Sequence, residues 1–200
     1  DHEGEFTEAG AEAGLNGLTG GLNMVQADYN NDGHLDFLVL RGSFSNRPYP
    51  NSLVRNNGDG TFTDVTFESG LGRKHYPNLC GAWADFDNDG WLDLFLANQN
   101  AGKNSGQLFR NRGDGTFQDV TRGSGLNDVG RFPTGCVWAD LNEDGFQDLF
   151  VSGYGSDRLF ENQGNGRFEL TKEIKGKLDF SSCAFDANQD GHLDILVGIK

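Results

Sequence analysis

One nine-residue pattern, written four times, constrains this chain more than any other feature. Its fullest form is Asp85-Phe86-Asp87-Asn88-Asp89-Gly90-Trp91-Leu92-Asp93, with oxygen side chains at positions 1, 3, 5 and 9 and glycine at position 6. The other copies are Asp28, Asn30, Asp32 and Asp36 about Gly33; Asp140, Asn142, Asp144 and Asp148 about Gly145; and Asp186, Asn188, Asp190 and Asp194 about Gly191. Glycine permits the sharp bend that lets these oxygens converge. Carboxylate and amide oxygens gathered at one point suit a hard cation. Calcium accepts about seven oxygens at flexible geometry, whereas magnesium requires a stricter octahedron and zinc favours His or Cys. The backbone carbonyl at position 7, from His34, Trp91, Phe146 and His192, completes the expected set. The sequence thus predicts about four Ca2+ sites.

The helix-flanked calcium loop is the obvious rival, and it needs a bidentate Glu at position 12. That position is Val39, Leu96, Val151 or Val197 here, so position 9 must supply the last carboxylate. Each loop runs into a short apolar segment such as Leu92-Asp93-Leu94-Phe95-Leu96, which predicts a buried strand. Asp, Asn and Gly also make ordinary turns, but an ordinary turn has no use for a carboxylate at position 9.

Charge follows from the same loops. The formal net charge of −14 argues against nucleic acid or an anionic membrane as partner. Thirteen Asp stand in the four loops, so four Ca2+ would bring the chain to about −6. The second loop carries four negative charges and the others three, which ranks it first for affinity, and the loop at Asp186 ranks last because it lies at the edge of an incomplete blade. No apolar run approaches the ~20 residues of a membrane span, and no signal-like segment is seen. The start at Asp1, without Met, fits a mature or trimmed product. Cys80, Cys136 and Cys183 precede three of the loops without metal spacing. They read as small core residues of neighbouring strands; a disulfide is possible, and the odd count leaves at least one free thiol.

A second signature alternates with the first. Leu53 to Thr66 is matched by Leu108 to Thr121, and more loosely by Leu159 to Thr171, each reading as strand, Gly-rich hairpin, strand. Successive loops begin 57, 55 and 46 residues apart. Four strands per repeat at this period predict an all-β propeller, since one four-stranded sheet cannot cover both its faces but radial neighbours can. Trp83, Phe95, Phe109, Phe117 and Trp138 are suited to that packing. The expected divisions are 1–20, the end of a preceding blade including a strand at Glu5 to Glu8; blades at 21–72, 73–127 and 128–175; and half a blade at 176–200.

The pairing of Asp-x-Asp-x-Asp-Gly-x-x-Asp with Asn-x-Gly-Asp-Gly-Thr-Phe-x-Asp-Val-Thr resembles the FG-GAP or VCBS repeat of integrin-alpha-type β-propellers. Gly81-Ala82-Trp83-Ala84-Asp85 and Ser69-Gly70-Leu71 make it most similar to the cartilage acidic protein and UnbV-like branch. The resemblance implies a partial ring of a seven-bladed, calcium-binding propeller, secreted or on the cell surface, used for recognition rather than chemistry. Ala187 at position 2 of the last loop, and the loss of Asp-Val after Phe168, depart from the pattern.

These readings make the chain a calcium-stabilised recognition or adhesion scaffold, secreted, extracellular or periplasmic. Its partner would be a protein or glycan, with the remainder of the propeller in the same or another chain. One alternative is a lectin with sugar held over Trp91 or Tyr154. Another is an accessory domain of a secreted metal-dependent hydrolase or polysaccharide lyase. The isolated His34, His75 and His192 form no Ser/His/Asp or Cys/His arrangement, so no catalytic residue is assigned and an enzyme is not expected. Arg112-Gly113-Asp114 spells an integrin-binding tripeptide, but turn chemistry accounts for its Gly and Asp.

Overall fold

Loop and strand share residues. Ala27, Ala84, Ala139 and Phe185 each end a strand just before position 1, and Asp36, Asp93, Asp148 and Asp194 each begin the next at position 9. The structure is a computed structural model that describes residues 7–41, 49–74, 76–99 and 104–199. The first blade is an antiparallel sheet of β1 (Asn23–Ala27), β2 (Asp36–Leu40), β3 (Ser52–Asn56) and β4 (Phe62–Asp64), in that order. The second repeats it with β5 (Asn78–Ala84), β6 (Asp93–Asn98), β7 (Gly106–Asn111) and β8 (Phe117–Asp119).

The third ladder runs from β9 (Pro133–Ala139) to β10 (Asp148–Asn162), β11 (Phe168–Phe185) and β12 (Asp194–Ile199). Its two long strands each do duty twice. Asn162 N–H donates to Asp148 Oδ1 (2.8 Å), so the two ends of β10 touch and the strand folds back on itself near Gly155 (φ 97°). β11 first pairs with β10, through Leu178, and then with β12 from Asp179 onward. The result is a third four-stranded blade followed by the first two strands of a fourth.

The blades pack first strand to first strand, β1 against β5 and β5 against β9, as in a ring built around an axis. Their cores lie between sheets. Leu38, Leu40, Leu53, Leu94, Phe109 and Phe117 fill the space between blades one and two. Phe95, Leu108, Leu149, Val151, Phe160 and Phe168 fill that between two and three, with Trp138 packed against them. Each such side chain contributes about 1.5–3 kcal/mol by leaving water. Tyr29, Trp83 and Phe117 form one aromatic cluster, with ring centroids 5.7–6.3 Å apart, and Phe95, Trp138 and Phe168 another. The architecture is part of a β-propeller, as the repeat period requires.

Two expectations need comment. The strand expected at Glu5 to Glu8 falls partly outside the described residues, as do His75 and Lys200; Thr7 and Glu8 themselves are not in a strand. Yet Phe62 N–H donates to Ala13 O (2.9 Å) just as Phe117 N–H donates to Ser69 O (2.8 Å). The segment about Gly14 therefore sits on blade one as the exit of blade one sits on blade two. The cysteines are all free, and they differ from one another: Cys80 is buried, Cys136 half-buried and Cys183 exposed. Cys183 lies on the two-stranded fourth sheet, where the neighbour that would make it a core residue does not face it.

Candidate metal centre

All four loops fold by the same hydrogen bonds. Asp28, Asp85, Asp140 and Asp186 at position 1 each accept the position 5 N–H on Oδ1 (3.0–3.1 Å) and the position 6 glycine N–H on Oδ2 (2.8–2.9 Å). Asp32, Asp89, Asp144 and Asp190 at position 5 accept the N–H of His34, Trp91, Phe146 and His192 (2.9–3.0 Å). Glycine is required at position 6, where φ is 85–93° in every loop.

Position 9 ties the loop to the blade. Asp93 Oδ1 accepts Asn111 N–H (2.8 Å) and Oδ2 accepts Phe86 N–H (3.2 Å), and Asp148 bonds Asn162 and Leu141 in the same way. Asp36, Asp93 and Asp148 are at most 1% exposed, whereas Asp194 on the fourth sheet is open to solvent. Burial pushes the Asp93 carboxyl up to about 7 and Asp36 up to about 6, and raises Asp148 and Asp87 as well. At exposed positions 1 and 5 the direction is the opposite: backbone N–H donors, from Gly191, His192 and His34 respectively, lower Asp186, Asp190 and Asp32. A divalent cation would favour the ionised form of the buried acids.

The donor set fits such a cation. Oxygens of Asp85, Asp87 and Asp89 lie within 4.8 Å of one another. Asp87 Oδ1 is buried without a hydrogen bond; Asp89 N–H leans toward it but is bonded to Asp85 Oδ1 at 3.0 Å. A buried oxygen left bare beside two other carboxylates is what a hard ion would satisfy. The corresponding residues of the other loops are Asp28, Asn30, Asp32 and Asp36; Asp140, Asn142, Asp144 and Asp148; and Asp186, Asn188, Asp190 and Asp194.

Comparison with known proteins agrees with this repeat. A model of the FG-GAP-like repeat matches residues 28–96, 85–151 and 140–197, each match running from one loop into the strand after the next. The chain belongs to the FG-GAP-like repeat family. Cartilage acidic protein 1 of Homo sapiens is 30% identical over 156 residues, which are 75% of this chain and 23% of that one. The Xenopus tropicalis protein of the same name is 30% identical over 115 residues, 58% of this chain and 17% of that one. This chain thus spans about a fifth of the length of those relatives. Among solved structures, an Agrocybe aegerita lectin, described as specific for non-reducing terminal N-acetylglucosamine, matches with a TM-score of 0.50 at 24% identity. That match covers 86% of this chain and 45% of the lectin and shows a shared fold.

Three features of these FG-GAP-like repeats escape a reading of the motif alone. The first is the asparagine that ends the third strand. Asn111 Nδ2 donates to Leu92 O (3.0 Å) and, across the blade boundary, to Tyr29 O (2.7 Å); its Oδ1 accepts Gly113 N–H (3.0 Å). Asn162 repeats the set on Gln147 O, Phe86 O and Gly164 N–H. The second is position 4, where Asn31, Asn88, Glu143 and Gln189 all have left-handed backbone, φ 55–63°. Asn31 donates to Gly90 O and Asn88 to Gly145 O (3.0 Å each), while Glu143 meets His192, so each loop holds the next. Recurrence at a fixed offset was the available signal for both.

The third is the position 7 side chain, which lies over the first hairpin glycine of its own blade. A Cβ added at Gly113 or Gly164 would come within 2.7–2.8 Å of Trp91 or Phe146, and one at Gly58 would collide with His34. Trp91 is thereby committed to packing. In the same hairpin Asp114 Oδ1 accepts Thr116 N–H (2.9 Å) and Oγ1–H (2.6 Å), as Asp59 does from Thr61, so Arg112-Gly113-Asp114 behaves as turn chemistry requires.

Proposed function

We propose that this chain is part of a calcium-organised recognition scaffold, acting outside the cytoplasm by binding and not by chemistry. The observation that carries the reading is the bare, buried Asp87 Oδ1 beside Asp85 and Asp89, within a loop geometry repeated four times. Calcium here is structural, since a scaffold needs the ion in every repeat whereas catalysis would single out one. Loops of this charge work where calcium is abundant, and the relatives named cartilage acidic protein suit a secreted or extracellular setting. Further blades, in the same or another chain, cover the two open faces. One of these presents a groove of about 640 Å3 lined by Leu15, Leu18, Met24, Phe37, Val39 and Phe62; the other exposes Leu193 and Leu196.

Calorimetry with calcium and with chelator tests the reading. Calcium bound by the native state alone raises the unfolding midpoint with its concentration, by about 2.7 kcal/mol of stability at a hundredfold excess over Kd. An unchanged midpoint with no metal by elemental analysis would overturn it.

A glycan is the second reading for the partner. A polar cleft of about 510 Å3 lined by Lys74, Tyr76, Asn104, Gln107 and Asp119 is of a size for one or two sugars. Outside that cleft, Tyr154, set edge-on to Phe132, and Tyr49 are each 62% exposed and offer rings on which a sugar would stack. A glycan array read with and without calcium separates this from a protein-binding scaffold.

A further inference from the structure

Loop two departs from the other three at one position, and a residue outside the loop answers the departure. In loops one, three and four the position 3 asparagine donates its Nδ2–H to the position 5 carboxylate: Asn30 to Asp32 (2.8 Å), Asn142 to Asp144 (3.0 Å) and Asn188 to Asp190 (2.9 Å). Asp87 replaces that asparagine in loop two. It removes the donor and adds a fourth negative charge beside Asp89, a change that left alone would repel.

Arg110, on β7, supplies both missing things. Its Nε is 2.7 Å from Asp87 Oδ2, and its second terminal nitrogen donates to Asp89 Oδ2 at 2.9 Å. The outer oxygens of both acids are thus held by one planar fork, which leaves Asp87 Oδ1 as the oxygen without a partner. The matching residue of blade one is Arg55, whose charge is felt at Asp32, and that of blade three is Glu161, whose charge is felt at Asp148. A cation at this position is therefore not a fixed requirement of the strand.

We propose that Arg110 is the positioning residue of loop two, a resident cation that replaces the asparagine amide, cancels the extra charge of Asp87 and lowers the loop's affinity for a divalent ion. The proposal rests on the reading of the loops as cation sites. It removes the advantage that a bare count of carboxylates gives loop two, because four loop carboxylates and one guanidinium in direct contact with two of them leave a net three, the carboxylate count of each neighbouring loop. It also gives this loop a means of staying folded without metal.

Terbium, a luminescent stand-in for calcium, tests it, because Trp91 at position 7 can sensitise an ion in loop two. The loop-two signal is the part lost in Trp91→Phe, which copies Phe146. Arg110→Gln is expected to bind terbium about tenfold more tightly, and calcium to displace it in proportion, since a unit positive charge near a divalent ion is removed. In chelator its unfolding midpoint falls by about 2 °C, as four carboxylates lose their counter-charge. In an Asp87→Asn background, where the amide donor is restored, the same substitution changes affinity by less than about threefold. Arg110→Lys, which keeps the charge without the fork, falls between. Arg110→Gln binding no tighter than the native chain, or an equal gain in both backgrounds, overturns the proposal. No Trp91-dependent signal in any of the proteins overturns instead the cation reading of loop two, which circular dichroism of the same samples separates from a failure to fold.

Discussion

Asn162 uses every polar atom of its side chain, and two of its three bonds hold its own blade while the third holds the one before it. Truncation leaves Gln147 O, Phe86 O and Gly164 N–H without this partner, in a place where water has little access. Asn162→Ala is expected to cost about 1–3 kcal/mol, read as a lower urea midpoint at unchanged slope. Asp114→Ala is the control of similar chemistry. Its bonds to Thr116 lie in an exposed turn, so its cost should stay below about 1 kcal/mol. Were the two substitutions to cost the same, the cross-blade bond would add nothing to the local turn.

At the scale of the element, the loop is a rigid bend whose fourth residue is strained to a purpose. Asn88 sits at φ 56° and reaches Gly145 O in the next loop. Asn88→Ala loses both the tolerated left-handed backbone and the link, at about 1–2 kcal/mol. Asn88→Gly keeps the backbone free and loses the link alone, so its cost should be the smaller, and urea unfolding of the pair separates conformation from contact. The loops and strands were legible in the sequence because their chemistry is local: Gly90 is needed for its dihedral, Asp93 opens a strand because the unbroken apolar run Leu94 to Ala97 follows it. What was not legible is what depends on the neighbour. Asn111 looks like a hairpin residue until Tyr29 is beside it, Arg110 like a solvated charge until Asp87 and Asp89 are beneath it. Cys183 is exposed for the converse reason, since its strand has the core pattern but none of the described residues forms a blade against its face.

On the scale of the whole molecule, stability resides in the spaces between sheets. Phe95 is fully buried between blades two and three, and Phe95→Ala should lose about 3–5 kcal/mol; Met24, 61% exposed on the outer face of blade one, should lose less than about 0.5 kcal/mol on the same change. Thermal unfolding of both variants tests whether an outer face of identical strand pattern contributes when nothing covers it. Because the main contacts between sheets among the described residues join neighbouring blades, stability of this kind is a sum of sheet and interface contributions. The direction of the interface bonds then bears on how such a chain is made. Asn111 and Asn162, and Trp138 through its Nε1–H to Ala82 O, all carry donors from a later blade to main-chain carbonyls of the blade before. A ribosome delivers the chain in that order, so each blade emerges bearing these strand-borne side chains that fasten it to a sheet already formed, while the loop bonds of Asn31 and Asn88 to Gly90 O and Gly145 O run the other way and close when the later loop arrives. The receiving group is backbone, present whatever the residue, and an added or deleted repeat would find its docking partner waiting.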